Sequence, residues 1–562
     1  MKDFKVDHKQ KTVKTNLKGY EILSNPKLNK DTAFTKDERD FLHLDGLLPC
    51  YVESIDEQVE RCYQQFLNIS DNLSRNIFLN GLHDRNQTLF YQVIQTYIDT
   101  MLPIIYTPTI GDAVKNFSQQ YRSNRGLYLA YNQKDKIESI VNDHLSDDIK
   151  MVIITDGEGV LGIGDWGVGG MDIAIGKMMV YVACSLINPA HVLPVILDVG
   201  TNNEDLVNHP NYIGARHKRI VGKTYDQFVD DTINVIIKKH PDMFIHFEDF
   251  GRNNARRLLD RYQSNLCVFN DDVQGTGLIA LATIKSASHL INQTFESHRF
   301  VILGPGTAGI GVADALVEAL IKKGISREEA QKSIWLVGRR GLLYEGMDNV
   351  FGDQIKYLRD ASEISSWADH SLQTTIEHVK PTVLIGCSGV YEAFTETCIK
   401  TMASSCERPI IMPLSNPTAC CEANPVDIFN WTNGQALVAT GSPFQPVTFN
   451  GKSFSIAQCN NAYIFPGLGM GIIGAKAKLV TQNMLLEASS SLSRTWSKLK
   501  KKNDDRLLPP LNEDYHDYSL AIAKAVMIAA IEDKVSDIDL ADVDKTLESL
   551  AWSPEYYQFK PL

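Results

Sequence analysis

The chain has 562 residues, of which 44% are hydrophobic and 22% charged, so we expect several folded domains with sizeable cores and not a disordered protein. Its net charge of −12, with no basic stripe, argues against nucleic acid as a partner. The ten cysteines form no CxxC pair, and the N-terminus lacks the apolar core of a signal peptide and the arginines of a transit peptide. We therefore expect a cytoplasmic protein with reduced thiols.

The hydrophobic pattern changes near residue 150. Residues 30–124 have mostly helical periodicity, whereas short apolar runs alternate with helical stretches in the chain that follows. These runs are MVIIT (151–155), VLPVILDV (192–199), FIHFED (244–249), RFVILG (299–304), SIWLVG (333–338), TVLIG (382–386) and PIIMPLS (409–415). The alternation predicts an α/β protein: a helical N-terminal region followed by two units built on parallel sheets covered by helices.

One segment, residues 178–197, is 20 residues long and carries no formal charge. It is long enough to span a membrane, but it contains Asn188, Pro189, His191 and Pro194. We therefore predict a buried helix that leads into a buried strand, and no membrane span.

A glycine-rich loop, Gly304-Pro305-Gly306-Thr307-Ala308-Gly309, follows a predicted strand and precedes a predicted helix over 310–323. In that context, glycines let the backbone approach a pyrophosphate at a helix N-terminus, so we predict a Rossmann-type dinucleotide-binding domain. The alternative is a glycine turn without a ligand. Residues 162–167 have the same glycine spacing, GxGxxG, as residues 304–309. This second stretch contains Asp165 and Trp166, and we interpret it as a tight loop of a substrate site.

The strand after such a loop usually ends in an acidic residue that binds the ribose hydroxyls of NAD. Here that end is Gly338-Arg339-Arg340, without an acid. The two arginines could accommodate the 2′-phosphate of NADP, or they could belong to a solvated turn.

Two adjacent acidic pairs, Glu248-Asp249 and Asp271-Asp272, follow apolar strands. Neighbouring carboxylates repel each other when they lose solvation, so a cluster of them suits an oxygen-ligated ion such as Mg²⁺ or Mn²⁺. Ordinary solvated turns are the alternative. Both members of a pair can reach one ion only where the strand has ended and the backbone turns, so one aspartate could instead support a base.

Two further residues are candidates for proton transfer. Lys177 lies in the apolar helical run DIAIGKMMVY, where burial is expected to lower its pKa and make it a general base. A lysine whose ammonium group extends to the surface is the alternative. Tyr106 in IIYTPTIG is either a buried acid or a hydrogen-bonded core tyrosine.

The ordered motifs resemble the malic enzyme family, which includes the malolactic enzymes. The similarity extends from LNKDTAFTKDER (28–39) to WSPEYYQF (552–559) and includes YTPTIG (106–111), TDGEG (155–159), IGK (175–177), FEDFG (247–251), FNDDVQGT (269–276), GPGTAG (304–309), LSNPT (414–418) and QCNNAYIFPG (458–467). The resemblance implies oxidative decarboxylation of L-malate with NAD or NADP and Mg²⁺ or Mn²⁺, in a homodimer or homotetramer.

The resemblance also implies roles for individual residues. Tyr106 would be the general acid and Lys177 the general base, supported by Asp271. Glu248, Asp249 and Asp272 would bind the metal. The substrate or the cofactor would be contacted by Asn416, Asn460 and Asn461, and the cofactor by the glycine loop with Gly304, Gly306, Thr307, Ala308 and Gly309.

One position departs from the family pattern. Malic enzymes typically have an arginine after TDGE that binds a substrate carboxylate, and here the position is Gly159. Gly159 and Asp172 resemble the malolactic branch, which keeps NAD bound and releases lactate, whereas QCNNAYIFPG looks more like malic enzymes proper. Arg125 or Arg252 could replace the missing charge.

The predicted domains are a helical N-terminal domain with Tyr106 (1–124), a substrate and metal domain (125–272, completed by about 461–530), a Rossmann domain (273–460) and a C-terminal tail (531–562). Two other classes of function remain open. A phosphate-binding or acyl-transferring α/β protein would not explain the acidic pairs. A catalytically inactive structural oligomer would not need Lys177 or Tyr106.

Overall fold

The computed structural model describes residues 4–8, 10–160, 162–501, 504–510 and 515–561. In chain order, its strands are β1 (Phe4–Asp7), β2 (Thr12–Thr15), β3 (Leu127–Ala130), β4 (Met151–Thr155), β5 (Val192–Asp198), β6 (Phe244–Phe247), β7 (Val268–Asn270), β8 (Phe300–Leu303), β9 (Ile334–Gly338), β10 (Gly341–Leu342), β11 (Val383–Gly386), β12 (Ile410–Pro413), β13 (Leu437–Thr440), β14 (Val447–Phe449), β15 (Lys452–Phe454), β16 (Ala457–Gln458) and β17 (Gln558–Lys560).

The α-helices cover both the N-terminal region and the faces of the sheets. They are α1 (Tyr20–Leu23), α2 (Lys36–Phe41), α3 (Ile55–Leu67), α4 (Asn72–Arg85), α5 (Gln87–Thr96), α6 (Ile98–Ile105), α7 (Ile110–Lys115), α8 (Phe117–Gln120), α9 (Ile137–His144), α10 (Met171–Ser185), α11 (Glu204–Asn208), α12 (Gly222–Lys239), α13 (Arg252–Tyr262), α14 (Thr276–Leu290), α15 (Thr307–Lys322), α16 (Arg327–Lys332), α17 (Leu372–Val379), α18 (Glu396–Ser405), α19 (Pro425–Trp431), α20 (Phe465–Ala475), α21 (Gln482–Leu499), α22 (Tyr515–Glu532) and α23 (Val543–Leu550).

The first large sheet has the strand order β3-β5-β4-β6-β7, and its pairs are parallel. All five residues of β4 are buried, as expected for a strand covered on both faces. Phe247 of β6 pairs with Asn270 of β7, so these two strands end at the same level. The acidic pairs that follow them therefore lie at one edge of this sheet.

The second sheet has the order β10-β9-β8-β11-β12-β13-β16 and is parallel apart from the short strand β10. The predicted helix after the glycine loop is α15, which begins at Thr307, three residues earlier than expected. Gly324 follows its end with φ +91°, in the left-handed region expected of a glycine at that position. The predicted mixed α/β architecture with a Rossmann-type domain is confirmed.

The uncharged segment has the predicted form, because α10 leads through a short turn into β5. The helical stretch Gly167–Ser185 is apolar and long enough to cross a membrane, but 94% of its most apolar window is buried inside the protein, as in a core helix. Helix α10 packs against α20 and α22 and thereby joins the C-terminal helices to the first sheet.

The two ends of the chain meet in a small third sheet. Strand β17 pairs with β2 in parallel, and β2 pairs with β1 in antiparallel orientation. The C-terminal segment thus contributes a strand next to the N-terminal hairpin. The boundaries of the four predicted domains remain a prediction.

Candidate active site

The backbone turns immediately after β6 and β7, which is the condition under which both members of an acidic pair can face one point. Asp249 has φ +52°, so the chain leaves the strand direction at that residue. Asp271 begins a single π-helical turn, Asp271–Gly275, and the Asn270 side chain accepts a hydrogen bond of 2.9 Å from the Val273 N–H at its start. These turns direct the carboxylates toward each other.

Three carboxylates form a cluster at this edge. Glu248, Asp249 and Asp272 each offer an oxygen within 4.8 Å of the others, and the Asp249 N–H donates to Asp272 Oδ2 at 2.8 Å. Glu248 is 2% exposed and Asp249 1% exposed. Burial, followed by the charges of Glu248 and Asp271, raises the pKa of Asp272 well above its usual range. Such a set of oxygen donors, two buried and one partly buried, fits a hard divalent cation, because a cation would offset their repulsion.

Lys177 lies beside this cluster, in the middle of α10, and is 1% exposed. Its ammonium group donates a very short hydrogen bond to Asp271 Oδ2 and lies 3.1 Å from Glu248 Oε1. Burial lowers the pKa of Lys177, but the charges of Asp271 and Glu248 outweigh it and hold this pKa well above its ordinary value. The expectation of a lowered pKa is wrong for this arrangement, because it considered burial without the two carboxylates.

Tyr106 follows the end of α6, is 5% exposed, and has its ring centroid 5.3 Å from Lys177 Nζ. Burial raises the pKa of its phenol well above the ordinary value, while the Lys177 charge lowers it. Gly176 permits this close packing, since a Cβ there would lie 3.3 Å from the Tyr106 ring and 3.1 Å from the Ile105 carbonyl. The IGK motif thus places the lysine and the tyrosine side by side.

His246 and Tyr181 belong to the same cluster, although neither is a predicted site residue. His246 Nε2 lies 3.0 Å from Glu248 Oε2, and its Nδ1 lies 2.8 Å from the Tyr181 hydroxyl. Burial, and then the Lys177 charge, lowers the pKa of His246 to about 3, so the ring is neutral. Nε2–H then donates to the carboxylate, and Nδ1 accepts from the tyrosine.

Periodicity contains the signal that would have found both residues. His246 of β6 lies two residues before Glu248, which comes directly after the strand, and Tyr181 lies four residues after Lys177 on α10, so each is expected to point to the same side as a predicted site residue.

The candidate asparagines have different positions. Asn461 Nδ2 donates to Asp271 Oδ2 at 3.0 Å and therefore joins the lysine cluster. Asn460 accepts a hydrogen bond from the Ala462 N–H at 2.9 Å at the start of a short helical turn. Asn416 is exposed and accepts from the Ser442 hydroxyl at 2.6 Å. The backbone carbonyl oxygen of Asn416 would lie 3.5 Å from a Cβ on Gly162, so the Asn416 segment lies next to the second glycine-rich loop.

Gly159 is held against the acidic turn. Its N–H donates to the Asp249 carbonyl at 2.9 Å, and a Cβ at this position would lie 2.6 Å from the Phe250 carbonyl oxygen. A side chain at position 159 thus requires a shift of this backbone. In the same loop, Asp165 accepts two hydrogen bonds of 2.7 Å from Arg219, so it anchors the loop.

The two arginines considered as replacements for the missing charge lie in different surroundings, and their role in binding a substrate carboxylate remains a prediction. Arg125 Nε donates to Asp84 at 2.8 Å, and its Nη1 donates to Asn80 at 2.6 Å. Arg252 is exposed and lines a cleft beside the glycine loop together with Pro305.

The glycine loop connects β8 to α15 and has the shape expected of a dinucleotide cradle. Gly304 has φ +101°, and a Cβ there would overlap the Cys387 carbonyl; a Cβ on Gly309 would overlap the Gly304 carbonyl. By contrast, apart from its chain neighbours, the nearest described atom to a Cβ built on Gly306 is an Arg252 nitrogen at 4.0 Å, so the loop is open to a ligand there. Thr307 and Ala308 begin the helix, and their N–H groups belong to its N-terminus.

A Rossmann-type domain beside a second parallel sheet, with a lysine and carboxylate cluster at the strand ends, defines the chain as an enzyme of the dinucleotide-dependent dehydrogenase class. Residues 83–263 match the family model for the malic enzyme N-terminal domain, and residues 273–531 match that for the malic enzyme NAD binding domain. The chain belongs to the malic enzyme family.

Individual relatives agree with this assignment. The chain is 44% identical to the NAD-dependent malic enzyme of Vibrio campbellii over 548 residues, which cover 96% of this chain and 97% of the relative. The NAD-dependent malic enzyme of Shewanella frigidimarina has the same identity and coverage. The crystal structure of Entamoeba histolytica malic enzyme is similar with a TM-score of 0.55 at 21% identity, covering 91% of this chain and 92% of that one.

Proposed function

We propose that the protein catalyses the metal-dependent oxidative decarboxylation of L-malate to pyruvate and CO₂ with reduction of NAD. The single observation that carries the proposal is the contact of Lys177 with Asp271 and Glu248 at the end of the first sheet, with Tyr106 beside it. A base, an acid and a cluster of carboxylates are the groups that this reaction needs at one place.

Lys177 is the proposed general base for the hydroxyl proton of malate. It must be neutral when it accepts that proton, and Asp271 Oδ2, in direct contact with Nζ, can hold the proton that the lysine releases. The Asn461 amide donates to the same oxygen at 3.0 Å and fixes the carboxylate in that position. Asp271 is thus the proposed partner of the lysine and not a metal ligand.

Glu248, Asp249 and Asp272 are the proposed ligands of Mg²⁺ or Mn²⁺. A divalent ion held by these residues would supply positive charge that stabilises negative charge developing on the substrate oxygen. The neutral His246 ring holds one oxygen of Glu248 through Nε2–H, which leaves the other oxygen for the ion or the lysine.

Tyr106 is the proposed acid that protonates the carbon after CO₂ has left. Its high pKa keeps the phenol protonated in the buried site, and the adjacent Lys177 ammonium favours the phenolate once the proton has been given up. The loop from Gly304 to Gly309 is the proposed site of the NAD pyrophosphate, with Asn416 and Asn460 as further contacts of cofactor or substrate.

A second candidate is the malolactic reaction, which yields L-lactate and CO₂ and keeps NAD bound. It is suggested by Gly159, which lies where malic enzymes typically have an arginine and where a Cβ would lie 2.6 Å from the Phe250 carbonyl oxygen. Loss of that carboxylate clamp would alter which intermediates the site retains.

The experiment is incubation with L-malate, Mn²⁺ and NAD, with absorbance at 340 nm and product analysis. Equal amounts of pyruvate and reduced cofactor support the proposed function. Lactate in an amount equal to the malate consumed, without free reduced cofactor, supports the malolactic reaction instead. A protein that consumes no malate in this incubation contradicts both proposed reactions.

The proposed assembly is a homodimer or homotetramer, which light scattering during size-exclusion chromatography can test.

A further inference from the structure

The turn that follows β9 lies directly beside the glycine loop. Strands β8 and β9 are neighbours, and the Gly304 N–H donates to the Val337 carbonyl at 2.8 Å. The next four residues, Gly338 to Gly341, form a tight connection to β10, in which Gly338 pairs with Gly341 and the two arginines between them occupy the turn. This is the place where a Rossmann domain binds the ribose of the adenosine.

The lining of the cleft at this turn favours an anion. Its lining residues include Arg252, Arg339 and Arg340, and none of the described residues that line it is an aspartate or a glutamate. An acid at the end of this strand would bind the ribose 2′-hydroxyl of NAD and repel a 2′-phosphate. Gly338 occupies that position and has no side chain to do either.

The three arginines have different surroundings. Arg340 donates a very short hydrogen bond to the Asp348 carbonyl and so supports the following loop. Arg252 lies beside Gly306, on the side of the cleft where the pyrophosphate is proposed to bind. Arg339 is exposed, and its guanidinium makes no hydrogen bond or ion pair with the described residues, so it is available to a ligand.

We propose that Arg339, with Arg340 beside it, forms a subsite for the 2′-phosphate of an adenosine nucleotide, so that the enzyme binds NADP as well as NAD. The inference rests on the proposed function insofar as the glycine loop holds the dinucleotide. A planar guanidinium at this turn can form charge-assisted hydrogen bonds with the phosphate oxygens, which a ribose hydroxyl cannot match.

The structure offers two informative variants and a control. Arg339→Gln removes the charge but keeps much of the side chain. Gly338→Asp supplies the absent acid, and the backbone admits it, because Gly338 is not in the left-handed region and its Cβ would lie 3.4 Å from the Pro305 ring. Arg327→Gln is the charge-matched control, since Arg327 is exposed and pairs with Glu318 at 2.8 Å outside this cleft.

The experiment measures binding of adenosine 2′,5′-bisphosphate and of 5′-AMP to the full-length protein by titration calorimetry. We expect the parent and Arg327→Gln to prefer the bisphosphate by about tenfold or more, as charged hydrogen bonds provide. Arg339→Gln should lose most of the preference, and Gly338→Asp should reverse it. The preference should also fall as salt is raised. Circular dichroism checks that each variant is folded.

Equal affinity of the parent for the two nucleotides, binding of neither, or an unchanged preference in folded Arg339→Gln would overturn the inference. Steady-state assays with malate and either NAD or NADP separate it from the proposed function. A parent protein that lacks the preference but oxidises malate with NAD overturns the subsite alone, and a parent protein that has the preference but does not turn over malate overturns the proposed reaction alone.

Discussion

Replacement of Lys177 by methionine tests the centre of the proposed site. Methionine fills a similar volume, so the change removes mainly the ammonium group. Asp271 and Glu248 are then left 1% and 2% exposed without the cation that lies against them both. Removal of one partner of a buried ion pair typically costs about 3–5 kcal/mol of unfolding free energy, because the remaining charge has no compensation.

Catalysis should decrease separately from stability. Loss of a general base lowers a rate by about 10²–10⁴-fold, so the kcat of folded Lys177→Met should fall within that range. The double variant Lys177→Met/Asp271→Asn should recover much of the lost stability, because it also removes the carboxylate nearest to the lysine, but it should recover no activity. Urea unfolding and malate oxidation at 340 nm measure the two quantities.

Lys30 provides a matched control. Its side chain is 7% exposed and pairs with Glu38 at 2.6 Å, away from the carboxylate cluster. Lys30→Met should therefore destabilise the protein by a comparable amount, while the folded variant keeps its kcat. If Lys177→Met retains more than about a tenth of the parental rate, the lysine is not the base. If the double variant regains activity, the role of Lys177 is structural.

Three further perturbations have defined outcomes. Metal stripping with excess EDTA should abolish turnover, and Mn²⁺ should restore it, because Glu248, Asp249 and Asp272 are the proposed ligands; full activity after stripping contradicts this. Burial raises the pKa of Asp172 from 3.8 to about 7, so ionisation of this half-buried carboxyl disfavours folding as pH rises through that interval. Asp172→Asn should thus be more stable than the parent at pH 8, by about 1–3 kcal/mol after allowance for partial exposure, and equal to it near pH 4 in thermal unfolding; a gain that does not grow with pH refutes the reasoning. Gly159→Ala should cost about 1–3 kcal/mol and lower activity, since its methyl group displaces the turn after Asp249; an unchanged melting temperature and rate would show that the turn adapts without cost.

The sheets and the glycine loop could be predicted because their signals are local. Strands such as MVIIT are short apolar runs, and the Gly304 loop follows a strand and precedes a helix in the sequence itself. The acidic pairs could be placed at one edge because parallel strands end on the same side of a sheet. In the structure, the register of β6 with β7 brings Glu248 near Asp271, as this placement predicts.

The electrostatics of Lys177 could not be predicted in the same way. Burial alone lowers the pKa of an ammonium, and the apolar sequence around the lysine indicates burial. The opposing effect depends on Asp271 and Glu248, which are distant along the chain and reach the lysine only after the first sheet and α10 have packed together. The direction of the shift is thus a property of tertiary structure, as is the pairing of Arg125 with Asp84.

Helix α10 and strand β6 together fix the distance between the proposed base and the proposed metal ligands. Lys177 and Tyr181 lie one turn apart on α10, and each reaches Glu248: the lysine directly at 3.1 Å, the tyrosine through the His246 ring. A neutral ring has one donor and one acceptor nitrogen, so a hydrogen bond from the Tyr181 hydroxyl to Nδ1 places the proton on Nε2, which faces the carboxylate. A displacement of α10 along its axis would move both contacts at once, and the helix is held in place in part by its packing against α20 and α22. The C-terminal helices therefore stabilise the geometry of a site to which they contribute few polar groups.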